Sequence, residues 1–142
     1  ERIDGMIYTE RIVTIKNTDA TIDSLIVLYR GDKDVEIIFK IIDSKFKFSS
    51  TKGNVIDHTQ AAFGQLAILN PMGENVFSPI AACNEGLVTF TMTKEMMDEL
   101  VEVGKYSFHI RLYNDDQSSR ITLPPVISGI EVREPIVSEG NE

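Results

Sequence analysis

The sequence predicts an all-β domain, a two-layer antiparallel β-sandwich with one short helix near residues 94–101. Three observations support this fold class. Apolar and polar residues alternate over residues 87–93 and 106–113, as they do in strands with one buried face. Clusters of turn residues separate about eight such runs, a spacing typical of sandwiches and barrels. The chain of 142 residues has the length of one domain.

The first third of the chain contains three candidate strands. Residues 11–17 place Val13 and Ile15 on one face. Residues 25–29 and 35–42 are separated by a polar turn cluster, which predicts a hairpin. The predicted strand at residues 35–42 is apolar on both faces, so we expect both of its faces to be buried. These residues are Val35, Ile37, Phe39 and Ile41 on one face, and Ile38 and Ile42 on the other.

The middle of the chain alternates between loops and short strands. Residues 49–60 are polar and predict a loop. Residues 66–69 form an apolar run that ends in the turn Asn-Pro-Met-Gly at 70–73, before the apolar pair 76–77. Residues 87–93 then form a strand whose inward face consists of Val88, Phe90 and Met92.

A short helix is predicted after this strand. Thr93 can cap its N-terminus, and Glu95 suits the positive end of the helix dipole. Gly104 can take the left-handed conformation that ends a helix. The methionines of its apolar stripe could bind a partner helix, but we favour a helix that closes one end of the sandwich. The stripe consists of Met96, Met97, Leu100 and Val101.

Residues 102–108 resemble the corner of immunoglobulin-like sandwiches, where a tyrosine follows an acidic and a small residue into a late strand. In such a corner the hydroxyl of Tyr106 bonds back to upstream backbone, and Phe108 takes the place of the antibody cysteine. The resemblance implies an immunoglobulin-like antiparallel sandwich with a core free of disulfides. Two last strands are predicted at residues 120–123 and 126–133, with a bend at Pro124 and Pro125.

Composition and charge exclude several classes of function. The chain has 14 basic and 22 acidic residues, a net charge of −8, which disfavours nucleic acid as a partner. Its apolar runs are far shorter than the ~18 residues of a membrane span, so we expect no membrane insertion. Cys83 is the only cysteine, which fits synthesis in a reducing cytoplasm.

Residues with catalytic or metal-binding chemistry are few. His58 and His109 have no cysteine or second histidine at ligand spacing, and Cys83 lies beside two alanines without an activating neighbour. Asp115 and Asp116 lack the carboxylate ladder of known calcium loops. The sequence also lacks a phosphate-binding glycine loop and a nucleophile elbow. We therefore expect no enzymatic activity, no metal site and no cofactor.

Three segments near the C-terminus carry a family resemblance. They are residues 104–113 (GKYSFHIRLY), 117–125 (QSSRITLPP) and 129–136 (GIEVREPI). Together they resemble the N-terminal domain of phage baseplate upper proteins, which occur in the tails of phages of Gram-positive bacteria. Upstream, the likeness is one of pattern only. The motif residues are Gly104, Tyr106, Phe108, Arg111, Tyr113, Arg120, Pro124, Pro125, Glu131, Arg133 and Pro135.

The resemblance implies a structural adaptor in the virion, at the phage tail baseplate, made in the cytoplasm of the bacterial host. Residues 1–133 would form the sandwich that docks on the baseplate core, and residues 134–142 would be a linker. In the family, a helical stalk follows, forms a homotrimer and carries the receptor-binding protein. The expected partners are thus other baseplate and tail proteins and, through the stalk, the receptor-binding protein.

The competing interpretation is a carbohydrate-binding sandwich that contacts the host cell surface. Such modules stack exposed aromatic rings on sugars. The chain has no tryptophan, and most of its aromatic residues fall on inward positions, which leaves Tyr8 and Tyr113 as plausible platforms. A glycan-degrading tail enzyme is a third class, but the sequence offers no acid/base pair that can be placed. We favour the adaptor.

Overall fold

The computed structural model of the protein describes residues 9–16, 21–32, 34–42, 46–49 and 52–135. They form thirteen strands, one α-helix and one short 3-10 helix. The strands are β1 (Thr9–Lys16), β2 (Thr21–Ile22), β3 (Ile26–Tyr29), β4 (Val35–Ile41), β5 (Lys47–Ser49), β6 (Val55–Asp57), β7 (Phe63–Leu69), β8 (Asn75–Phe77), β9 (Ile80–Asn84), β10 (Leu87–Met92), β11 (Gly104–Tyr113), β12 (Arg120–Thr122) and β13 (Val126–Arg133). The helices are the 3-10 helix His58–Gln60 and α1 (Lys94–Asp98).

Eleven of these strands form one curled, mixed sheet. Its order is β2-β1-β4-β10-β9-β7-β11-β13-β3, with β8 beside β7 and β12 beside β11. Strands β5 and β6 pair separately. The prediction of an all-β fold with a lone short helix is confirmed. The sheet is not purely antiparallel, however, because β1 runs parallel to β4 and β3 runs parallel to β13.

The predicted hairpin between residues 25–29 and 35–42 is wrong. Strand β3 pairs with β13 at one edge of the sheet, whereas β4 lies between β1 and β10. After β3 the chain crosses to a distant part of the sheet instead of turning back on its neighbour. Strand β4 lies beside β1 and runs parallel to it. Parallel neighbours cannot be joined by a short turn and need a longer crossover connection, which here includes β2 and β3.

The core lies inside the curl of the sheet. Phe39 on β4 packs against Phe90 on β10 and Phe108 on β11, with ring centroids 6.0 Å and 5.3 Å apart. Since β4 and β11 lie in different parts of the sheet order, Phe39 holds the two sides of the curl together. The inward residues predicted for β4, β10 and β11 are all buried: Val35, Ile37, Phe39, Ile41, Val88, Phe90, Met92, Tyr106, Phe108, Ile110 and Leu112.

The outer face of β4 is open to solvent. Ile42, directly after the strand, is 46% exposed, and Ile38 is half-buried. The expectation that both faces of this strand are buried is therefore wrong. The burial pattern along β4 alternates, so the curled sheet encloses only its inner face.

Helix α1 is shorter than predicted and ends at Asp98. The hydroxyl of Thr93 caps it by accepting a hydrogen bond from the backbone N–H of Met96 (3.3 Å). The backbone N–H of Leu100 donates to the carbonyl of Met97 (3.1 Å), a tight turn that ends the helix. The side chains of Met97, in the helix, and of Leu100, just after it, are buried in the core.

Gly104 does not end the helix. It opens β11 with φ of +143°, five residues beyond the C-cap Glu99. Val101, assigned to the apolar stripe of the helix, is 62% exposed because it follows the last turn. Among the described residues, no helix is long and apolar enough to cross a membrane.

The polar segment 49–60 is more ordered than the loop that the sequence predicts. It contains β6, which pairs with β5, and then the 3-10 helix. Asp57 caps that helix by accepting a hydrogen bond from the N–H of Thr59 (3.0 Å), while the side chain of Gln60 accepts from the N–H of Asp57 (3.0 Å).

Candidate functional site

A tyrosine corner leads into β11. The hydroxyl of Tyr106 donates to the carbonyl of Glu102 (2.8 Å) and accepts from the N–H of the same residue (3.3 Å). The Tyr106 side chain is buried, with 1% of its surface exposed, and this burial raises the pKa of its phenol. The bond to upstream backbone expected from the sequence is present. It fixes the chain between α1 and β11.

Beyond the corner, β11 presents a row of polar side chains on its outer face. Alternation places His109, Arg111 and Tyr113 there, each half-buried. Strand β7 places Ala67, Gln65 and Phe63 directly across from them, in that order. On the other side, β12 places Thr122 across from Arg111 and Arg120 across from Tyr113. We call this set of eight residues the β11 outer face.

One end of the β11 outer face is fixed by hydrogen bonds. The hydroxyl of Tyr113 donates to the side-chain oxygen of Gln65 (2.8 Å), and the amide of Gln65 donates to the carbonyl of Ser78 (3.2 Å). Tyr113, one of the two tyrosines considered as a sugar platform, is thus half-buried and bonded through its hydroxyl. Tyr8, the other, lies outside the described residues.

The other end of this face holds two nitrogens without partners. The Nε2 atom of His109 and the Nε atom of Arg111 are buried and make no hydrogen bond within the described part of the structure. Burial, and then the positive charge of Arg111, lower the pKa of His109 below its ordinary value of 6.5. Both effects favour the neutral form of the imidazole.

The charged residues of β13 lie at its C-terminal end. The guanidinium of Arg133 donates to Glu131 through Nε (3.0 Å), and Lys105 lies 3.5 Å from the same carboxylate. Hydrogen bonding to Arg133 is the main reason why the pKa of Glu131 is lowered. The backbone N–H of Arg30 donates to the carbonyl of Arg133 (2.9 Å), and its side chain pairs with Glu134. These contacts tie the end of β13 to β3.

The chain leaves the sheet directly after these ion pairs. Pro135, which follows β13, is exposed and cannot donate a hydrogen bond to a sheet ladder. The remainder of the segment predicted as a linker, residues 136–142, lies outside the described residues.

The chain matches known proteins by its fold but not by its sequence. No family model and no curated protein matches this chain. Among solved structures, the N-terminal domain of phage TP901-1 ORF48 superposes on it with a TM-score of 0.56 and 12% sequence identity. The match covers 89% of this chain and 99% of the phage domain. The two chains share a fold. At this level of identity the likeness concerns the fold alone.

The motif residues do not form one site. Tyr106 and Phe108 belong to the core, Arg111 and Tyr113 to the β11 outer face, and Glu131 with Arg133 to the β13 end. Gly104 starts β11, and Pro135 follows β13. Pro124 and Pro125 lie between β12 and β13, where the sequence predicts the bend. Arg120 is exposed on β12.

Most of the residues considered for metal binding or nucleophilic chemistry are buried or are hydrogen-bonded within their own loop. Among the described residues, no group of three or more histidine, cysteine or acidic side chains is close enough to hold a metal ion. His58 is buried against Gly86. Cys83 is also buried, and burial raises the pKa of its thiol. Asp115 and Asp116 accept hydrogen bonds from backbone N–H groups of their own loop (3.0 Å and 2.9 Å).

Two structural residues escaped the sequence analysis. Asn114 is 1% exposed and organises the loop after β11, because its side-chain oxygen accepts from the N–H of Ser119 (3.0 Å). Its position between a strand and an Asp/Ser-rich loop is the signal that could have revealed it. Gln65 carried no such signal, because its role depends on lying across from Arg111 and beside Tyr113.

Proposed function

We propose that this domain is a structural component of a phage tail baseplate, located in the virion, which docks on the baseplate core. One observation carries the proposal: the fold likeness extends over 99% of a phage protein domain and 89% of this chain. It is independent of the motif resemblance, which rests on residues 104–136. Both lead to a phage structural protein.

The finer role that we propose is a non-enzymatic adaptor between the baseplate core and the receptor-binding apparatus. The end of β13 supports this role, because Arg30 holds the last strand through Arg133 and Glu134 before the chain leaves at Pro135. A segment that continues from this point would start from a fixed position on the sheet. We propose that such a segment is the trimeric stalk, so that three copies act together and bind the receptor-binding protein.

Capture by purified phage tails that lack this protein tests the proposal. The domain is used alone and fused to a trimeric coiled coil, and the same coiled coil without the domain is the control. We expect strong capture of the fusion and weak capture of the single domain, because three weak contacts add through effective concentration.

Three outcomes would count against parts of this proposal. Equal capture of the single domain and the fusion would remove the role of the trimer. Capture by bare cell walls instead of tails would favour a sugar-binding module. Absence of capture by either material would refute docking altogether.

A further inference from the structure

Strand β1 is paired along its whole length on one side only. On that side it pairs with β4 over residues 9–15, whereas on the other side β2 pairs only with Ile15 and Lys16. Among the described residues, no strand lies beside residues 9–14 on this second side, which we call the β1 edge. An open strand edge presents a row of backbone N–H and C=O groups, which is a template for pairing with another chain.

The even-numbered residues of β1 direct their backbone groups to this edge. The carbonyl of Ile15 accepts from the N–H of Ile42, just after β4 (3.0 Å), so the odd-numbered residues bond towards β4. The N–H of Thr14 points the other way and donates to the carboxylate of Asp23 (3.2 Å). Because the bonding direction alternates along a strand, the N–H and C=O groups of Ile12 also point to the open side.

The centre of the β1 edge lacks the devices that protect such edges. Natural proteins place lysine, proline or a bulge there, or cover the edge with another segment. Asp23 protects one position, because it occupies the N–H of Thr14. Ile12, by contrast, is apolar and 62% exposed, and its neighbour on β4 is the half-buried Ile38. A β-branched residue in this position favours pairing with a further strand.

A second copy of β1 fits the edge in antiparallel orientation. With Ile12 across from Ile12 of the second copy, each N–H can donate to the carbonyl of the other. On either side of this centre, the N–H of Glu10 can donate to the carbonyl of Thr14 in the other copy. These hydrogen bonds form while Asp23 stays on the N–H of Thr14. The pair is two-fold symmetric, so each copy offers the same surface to the other.

The sequence favours this register over its two neighbours. A pair centred on Arg11 would place two arginines directly across from each other, and like charges in that position are destabilising. A pair centred on Val13 would need the N–H of Thr14, which Asp23 already occupies. The register centred on Ile12 avoids both problems, since it places the isoleucines across from each other and Glu10 across from Thr14.

We propose that β1 binds β1 of a second copy of this chain, so that two domains join their sheets antiparallel about Ile12. The inference goes beyond the proposed function, because it concerns contacts between copies and not the contact with the baseplate core. A few hydrogen bonds and two isoleucines make a small interface, so we expect dissociation constants of about 0.1–1 mM. Where several copies lie side by side, their effective concentration stabilises such a contact.

Analytical ultracentrifugation of the domain over a range of concentrations measures this association. Ile12→Lys places a charge at the centre of the edge and should weaken the association by about tenfold or more. The matched control is Thr89→Lys, which adds the same charge at an exposed position of β10, on the same sheet face but away from the edge. It should associate at least as well as wild type.

Two substitutions of Asp23 test the register from the opposite direction. Asp23→Ala frees the N–H of Thr14, so each copy can form one further hydrogen bond, and the association should strengthen by about fivefold or more. Asp23→Asn removes the same negative charge but keeps an oxygen that can accept from Thr14. It should strengthen the association less than Asp23→Ala, which separates the released N–H from the change in charge.

A disulfide test locates the contact. Residues directly across from each other in a hydrogen-bonded antiparallel pair have Cα atoms ~5.5 Å apart, within the range that a disulfide spans. Ile12→Cys should therefore form covalent dimers under mild oxidation at least about tenfold faster than Thr89→Cys, since pairing raises the effective concentration of the two thiols. The native Cys83 is buried, and non-reducing electrophoresis measures the dimers.

These outcomes decide the inference separately from the proposed function. A wild-type domain that stays monomeric up to ~1 mM would refute the pairing, and so would equal rates of cross-linking in Ile12→Cys and Thr89→Cys. Association that Ile12→Lys does not weaken would assign the contact to another surface and also refute the inference. In each case the baseplate role stands if tails capture the fusion.

The reverse result is equally distinct. Association that is lost in Ile12→Lys, together with no capture by tails, would support the pairing and refute the baseplate role. Circular dichroism checks that every variant is folded. If Ile12→Lys is not, Ile12→Thr replaces it, because threonine keeps the β-branch and removes part of the apolar contact; it should still weaken the association relative to wild type, and an unchanged association would refute the inference.

Discussion

Replacing Tyr106 with phenylalanine removes only the hydroxyl that closes the corner before β11. The ring stays buried, so the change isolates the two hydrogen bonds to the backbone of Glu102. Glu102 is exposed, and water can replace part of what its backbone loses. We therefore expect the free energy of unfolding to fall by about 1 kcal/mol, the usual net value of such a bond. For a domain of this size that lowers the thermal midpoint by about 3 °C.

Circular dichroism during urea and thermal unfolding measures this change, and Tyr113→Phe is the matched control. The Tyr113 hydroxyl bonds to Gln65 at the same distance, 2.8 Å, but the residue is half-buried, so its loss should cost less. The slope of the urea transition should stay unchanged, because the surface exposed on unfolding is the same. A Tyr106→Phe midpoint equal to wild type, or a larger loss in Tyr113→Phe, would refute the view that the corner stabilises the fold.

Three further changes test the core, the turns and the pH response. Gly86→Ala should destabilise the domain by about 1–3 kcal/mol more than Gly53→Ala in chemical denaturation, because the two share a φ of +82° but only at Gly86 would a Cβ lie 2.8 Å from a backbone oxygen; equal losses would contradict the clash. Phe108→Ala should cost about 3–5 kcal/mol by the same assay, since it removes the ring that meets Phe39 across the core; a loss below about 1 kcal/mol would contradict that packing. Burial and a neighbouring arginine lower the pKa of His109 in the folded state, so the unfolded chain binds more protons and stability should fall as the pH drops through 6.5. This fall, read from urea midpoints between pH 7.5 and 5.5, should shrink in His109→Gln, and an identical pH profile would contradict it.

The sequence predicts this fold where the determinants are local. The alternation in β10 and β11 identifies their buried faces, because side chains in a strand alternate regardless of the partner strand. The corner at Tyr106 and the cap at Thr93 are also local, since each bonds to a residue three or four positions away. Hence these features could be predicted from short windows.

Partner choice between distant strands could not be predicted in this way. The polar turn after β3 has the composition of a hairpin, but β3 instead pairs with β13, where long-range packing decides. The candidate site shows the same division. Alternation places His109 and Arg111 outward, whereas the neutrality of their neighbours depends on the register between β11, β7 and β12. That register appears only in the folded sheet.

The parallel pairing of β3 with β13 has a consequence for how the protein is made. Ile26, near the start of the chain, finds its partner in Ile130, so the edge of the sheet forms only after nearly the whole domain has left the ribosome. Contacts between residues so far apart in sequence slow folding, because a long loop must close before the pairing stabilises anything. Strand β3 therefore remains without its partner until β13 has been synthesised. The last strand in the described part of the chain therefore completes one edge of the sheet, and a chain interrupted before β13 leaves β3 without the strand that it pairs with.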